Sequence, residues 1–172
     1  MTGARFGYKR PMTTRDTAGT PGHDNGKTVR TLATVVGAVF LLVGVLGFVP
    51  GVTTDYDTMS FAGHTSEAKL LGIFQVSILH NIVHLLFGLA GLAMARSTSG
   101  AINYLIGGGV VYLVLFLYGL LIDHESSANF VPINSADNVL HLVLGLGMIG
   151  SGVWGRNAAG KKDLRGSTRP AG

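Results

Sequence analysis

The chain has 172 residues, enough for one ordinary domain, but 47% of them are apolar, only 13% are charged, and the mean hydropathy is +0.42. That balance excludes an ordinary soluble globule and makes lipid the expected solvent. Cysteine is absent, which excludes disulfides, thiolate catalysis and cysteine-held zinc or iron–sulfur centres; the net charge of +4 sits in Gly/Ser/Thr-rich stretches without a nucleic-acid motif, so no nucleic-acid partner is expected.

Residues 1–29 read as a disordered basic N-terminal tail rich in Gly, Thr and Pro, with Met12 as an alternative start to Met1. The first apolar run, Thr31 to Val49, is too long for a signal-peptide core and lacks an A-x-A-like exit, so it reads as a membrane anchor. Further runs extend over Leu70 to Ala95, Ile102 to Ile122 and Ala136 to Gly155. About 20 helical residues rising ~1.5 Å each cross the ~30 Å hydrocarbon layer. The expected fold is therefore all-α, a four-transmembrane-helix bundle over residues 30–156, and residues 157–172 form a second disordered basic tail.

Charge sets the expected orientation. Twelve of the thirteen Lys and Arg lie before the first run, between the second and third, or after the fourth; only Lys69 lies on the other side. The positive-inside rule then places both termini in the cytoplasm, where contact with anionic lipid explains the basic tails. Trp154 and Tyr104 fall at cytoplasmic ends of their runs, where amphipathic rings favour the headgroup level.

HNIVHLLFGLA, from His80 to Ala90, aligns without gaps to DNVLHLVLGLG, from Asp137 to Gly147, at an offset of 57 residues. Gly37 and Gly47 stand opposite Gly109 and Gly119 at their own common offset. Two repeated helical hairpins are expected, entering the membrane in the same direction and related by a pseudo-twofold axis along its normal. Ser77, His80, Asn81, His84 and Gly88 then share one stripe of the second helix, as Asn134, Asp137, Asn138, His141 and Gly145 share one of the fourth. The glycines, with the ladder Gly147, Ser151 and Gly155, predict close contact between helices two and four.

His84 lies 12 residues from Arg96 and His141 lies 15 from Arg156. Both therefore sit roughly 18 to 22 Å above the inner boundary, and the segment SEAKLLGIFQVSIL projects above the core or packs over the bundle mouth.

Polar groups of this kind turn inward and pair. In one reading His84, His141, Asn81 and Asn138 hydrogen-bond between helices and fix register. In a second, His80 and His84 with Asp137 and His141 form two i, i+4 pairs that hold a divalent metal, or His84 and His141 bind haem axially. Asn81 stands where H-E-x-x-H needs its glutamate, which argues against a zinc protease. A third reading, an outward-opening proton relay that includes Asp123, stops below the histidines, where helices two and four carry scarcely a polar side chain. Gly107, Gly108 and Gly109 are packing or bending glycines, since no phosphate-binding Lys-Ser/Thr follows them, and Tyr112 and Tyr118 read as core or interfacial aromatics.

The motifs FVPGVTTDYDTMSFAGH, LLGIFQVSILHNIVHLLFGLAGLAMAR and NFVPINSADNVLHLVLGLGMIGSG resemble a domain-of-unknown-function family of small four-span actinobacterial integral membrane proteins, over approximately Arg30 to Gly155. The resemblance implies a bacterial inner (plasma) membrane location and transfers no activity, catalytic residue or cofactor. The combined expectation is a non-enzymatic structural or accessory subunit in the lipid bilayer, within a larger membrane complex or a homo-oligomer; the alternative is a metal- or haem-binding membrane protein.

Overall fold

The computed structural model describes residues 21–167, with side chains from residue 25 to residue 158. Readings that concern residues 1–20 and 168–172, including Met12 as a start, lie outside the described residues. The chain is mostly helical: α1 (Pro21–Leu46), α2 (Ile78–Met94), α3 (Thr98–Leu121) and α4 (Ser135–Ser167), with short strands β1 (Thr53–Thr54), β2 (Lys69–Leu70) and β3 (Phe74–Gln75). Both outer helices outrun their apolar segments, α1 starting at Pro21, where a missing N–H costs no helical bond, and α4 continuing to Ser167.

Three stretches are long and apolar enough to cross a membrane: Asn25–Leu46, Thr98–Leu121 and Ser135–Ala158. The second apolar run departs from expectation, because only its part from Ile78 is helical and α2 has 17 residues. Before it, β2 and β3 form an antiparallel hairpin, with β1 paired to the other edge of β2. Its turn holds Leu71 at φ 56° and Gly72 at φ 71°, and Ile73 N donates to Leu70 O at 3.1 Å. Paired positive φ values are what a tight hairpin turn needs to match strand twist. Ser77 then opens α2 from an extended conformation, its Oγ accepting from His80 N at 3.2 Å.

Helix packing corrects a second expectation. α1 lies along α2 and α3 along α4; α1 also packs on α3 and α4, whereas α2 and α4 scarcely touch. The glycines expected between α2 and α4 instead face their own hairpin partners. A Cβ on Gly88 would meet Gly37 O and Leu41 N, both at 2.7 Å, and one on Gly145 would meet Leu113 Cδ2 at 2.7 Å. Gly147 faces open space and Gly155 faces Val29 and Ile102. Matching contacts occur in both hairpins: Gly37 abuts the Gly88 backbone as Gly109 abuts that of Gly145, and Gly47 lies under the Asn81 amide as Gly119 lies under that of Asn138.

Between the helices, Ala33, Phe40, Ala101, Leu105, Tyr112 and Met148 belong to one apolar core. Tyr104 also lies in it, 3% exposed and seated against Gly91, while Trp154 faces outward. At the end away from the termini, the small sheet and the loop before α4 cap the bundle. Ala68, Leu70 and Val76 pack there on Val43 and Leu46 of α1. Gly63 N donates to Phe130 O at 2.7 Å, joining the two loops of the cap.

Candidate functional site

The starts of α2 and α4 both reach this cap and are built alike. Asn134 Oδ1 accepts from Asp137 N at 3.0 Å, while Asp137 Oδ2 accepts from Asn134 N at 3.0 Å. This reciprocal pair satisfies two helix-end donors at once. Ser77 and His80 occupy the corresponding positions of α2, 57 residues earlier.

Gln75 of β3 connects the two helix starts. Its N–H donates to Asp137 Oδ2 at 3.1 Å, and its carbonyl accepts from His80 Nδ1 at 3.2 Å. Its side-chain Nε2 donates to Ser66 O at 2.7 Å, deeper in the cap, and Asn134 Nδ2 adds a bond to Ile73 O at 2.8 Å. The polar residues of α2 and α4 are thus linked through one residue of the cap rather than by helix-on-helix packing. Asp137 is buried at 3% exposure, where an unpaired carboxylate would be costly; two backbone donors on Oδ2 offset that cost.

Below Gln75 the imidazoles gather. His84 Nδ1 lies 3.0 Å from His80 O. A carbonyl only accepts, so Nδ1 of both His80 and His84 must carry hydrogen, and each neutral ring presents a bare lone pair on Nε2. Those two Nε2 atoms face each other at 3.4 Å, and the Tyr112 hydroxyl lies 3.4 Å from His84 Nε2. His141 does not meet His84 ring to ring. It stacks edge-on against Tyr112, centroids 5.2 Å apart, and its buried Nδ1 has no hydrogen-bond partner among the described residues. Phe40 closes the group from α1, with centroid distances of 5.5 Å to His84 and 5.3 Å to Tyr112. Among the described residues no group of three or more His, Cys, Asp or Glu is arranged to hold a metal ion.

The two asparagines have a separate task. Asn81 and Asn138 are 1% and 6% exposed, and among the described residues each Oδ1 lacks a conventional donor. Each oxygen lies where the second Hα of Gly47 or Gly119 points, so it receives a Cα–H···O contact across its hairpin.

Of the expected cluster, His80, Asn134 and Asp137 tie the cap to the helix starts, Ser77 caps α2, His80 and His84 meet directly, and His141 joins them through Tyr112. Asn81 and Asn138 serve the hairpin interfaces, and Asn81 Nδ2 also donates to Met59 Sδ in the cap at 3.9 Å. Sequence reasoning missed Gln75 and the linking role of Tyr112. Gln75 did carry a signal, as the one amide in the apolar stretch LLGIFQVSIL.

No curated protein and no solved structure matches the chain. A family model described as Domain of unknown function (DUF4383) matches residues 30–154, a stretch that holds all four helix cores, the cap and every residue of the site. On that match the chain belongs to the DUF4383 family.

Proposed function

We propose that this protein is a structural or accessory subunit of the bacterial inner membrane, a four-helix transmembrane bundle of two repeated hairpins with both termini cytoplasmic and the cap outside. The observation that carries this reading is the sharing of Gln75 between the two helix starts, its N–H bonded to Asp137 and its carbonyl to His80. The ionisable groups at the cap ends of α2 and α4, His80 and Asp137, are spent on fastening the cap to the bundle, as structural groups are, and the asparagines fasten each hairpin. The matching glycine and asparagine contacts support the repeat, and the basic residues support the orientation. Val83, Leu86 and Leu89 of α2, with Val139, Val143 and Leu146 of α4, are at least half exposed and offer faces to lipid, to a larger complex or to a second copy.

The absence of cysteine makes the test direct. In intact cells, a membrane-impermeant maleimide is expected to label Ser127→Cys in the cap, and Ser99→Cys only after permeabilisation. Cross-linking in native membranes is expected to capture one stoichiometric partner or a dimer. The opposite labelling pattern overturns the orientation, and recovery of monomer alone overturns the subunit role.

The facing lone pairs favour a second reading, a metal site. Two imidazole nitrogens on one tetrahedral zinc, at about 2.0–2.1 Å each, stand roughly 3.4 Å apart, which is the His80–His84 Nε2 separation of 3.4 Å. A cation there would remove the repulsion between the lone pairs, although among the described residues His141 and Asp137, the other members of the expected set, are not arranged with the pair as ligands. A haem held by His84 and His141 would instead have to displace Tyr112, which touches both. Protein expressed with zinc, copper and haem supplied is expected to carry neither stoichiometric metal by elemental analysis nor a Soret band. Either signal, if lost in His84→Ala and His141→Ala, transfers the assignment to the metal or haem reading.

A further inference from the structure

At the opposite end of the bundle from the cap, a groove of about 400 Å³ lies between the start of α1 and the end of α2. Its lining is Lys27, Arg30, Thr31, Thr34, Val35 and Ala95. Among the described residues the lining holds two cations, two hydroxyls and no carboxylate, a surface of one sign whose complement is opposite charge.

The arginine is held in place. Its Nε donates to Ala95 O at 2.9 Å, at the C-terminal end of α2. The guanidinium is thereby anchored at one edge, while its outer N–H groups have no protein partner among the described residues. A planar fork fixed in this way is suited to phosphate oxygens. Lys27 precedes it by three residues, on the same face of α1. Thr34 Oγ1 donates to Arg30 O at 2.9 Å, so Thr31 supplies the groove's remaining hydroxyl donor.

The polar floor continues into an apolar track. Val35, Val39 and Leu42 follow at i, i+4 and i+7 on α1 and are 54%, 49% and 56% exposed. A phosphate group alone would leave this track unused, and an acyl chain fits it. We infer that the groove binds an anionic membrane phospholipid, its phosphate over Lys27 and Arg30 and one acyl chain along Val35, Val39 and Leu42. Basic pockets beside transmembrane helices recognise lipid headgroups in this manner. The inference is independent of what the histidine group does at the other end.

The full chain, purified in mild detergent, can be titrated with phosphatidylglycerol, phosphatidylcholine or inorganic phosphate and read by native mass spectrometry and thermal unfolding. Phosphatidylglycerol is expected to remain bound and raise Tm, and the other two are not. Lys27→Gln is expected to weaken its binding about five-fold and Lys27→Gln with Arg30→Gln about twenty-five-fold. Arg156→Gln, an equal loss of charge outside the groove, is expected to leave binding unchanged. Because Arg30 also fastens the end of α2, Lys27→Gln carries the test if the double variant does not fold. Equal retention of phosphatidylcholine, phosphatidylglycerol binding untouched by Lys27→Gln, or an equal loss in Arg156→Gln would overturn the inference. A Tm rise from inorganic phosphate matching that from phosphatidylglycerol would overturn it in favour of a free-anion site.

Discussion

Alanine at Gly109 is expected to pry α3 from α4, whereas alanine two residues earlier, at Gly107, is expected to be neutral or stabilising. A Cβ at Gly109 would stand 2.7 Å from Gly145 O and 3.0 Å from Ile149 N, backbone atoms that cannot rotate away. Overpacking of this kind costs about 1–3 kcal/mol and occasionally more; with backbone on the far side, the upper end applies. At Gly107 the same atom meets nothing within 4 Å, so alanine's better helix propensity acts alone, up to about 1 kcal/mol. Gly108 falls between them, because its neighbours are Met148 Cε and Phe87 Cζ, the far ends of side chains. Thermal unfolding of the three single variants in one detergent checks the order, and equal Tm values for Gly107→Ala and Gly109→Ala would refute the packing.

Removing the Asp137 carboxylate is expected to loosen the cap. Asp137→Ala strands the N–H groups of Gln75 and Asn134, each otherwise bonded to Oδ2. A buried donor left without its acceptor costs about 1–3 kcal/mol. Asp137→Asn keeps an acceptor oxygen in place and is expected to retain most of the stability. Hydrogen exchange is the discriminating measurement: amides of residues 69–76 should lose protection in Asp137→Ala while those of α3 do not. Uniform loss over both regions would mean that the carboxylate supports the whole bundle rather than the cap.

Much of the architecture was legible because lipid imposes a simple rule: three of the four apolar runs are helices of spanning length. Where the second run failed, apolarity was the wrong signal. Leu70 to Ser77 is as oily as the helix after it, and only Leu71 and Gly72, both at positive φ, separate hairpin from helix. Part of the polar pattern converges, since His80, Asn134 and Asp137 all bond to the Ile73–Gln75 edge of one cap. Their means of contact was not legible. Periodicity shows that Gly88 and Gly145 share a face with the polar groups, but a face about 100° wide can serve two neighbours. The glycines took the partner within the hairpin. Gln75 escaped because its role rests on its backbone N–H and C=O, which every residue but proline also has.

The shortness of α2 bears on the lipid around the bundle. Its 17 residues rise about 26 Å, short of a ~30 Å hydrocarbon layer, while α1, α3 and α4 are long enough. In the proposed four-span arrangement, acyl chains beside α2 would compress on one flank only, at a fraction of a kcal/mol per ångström of mismatch. A lopsided dent of that kind costs less when two dented flanks adjoin, so bilayer thickness itself would draw such proteins together along α2 and favour thinner membranes.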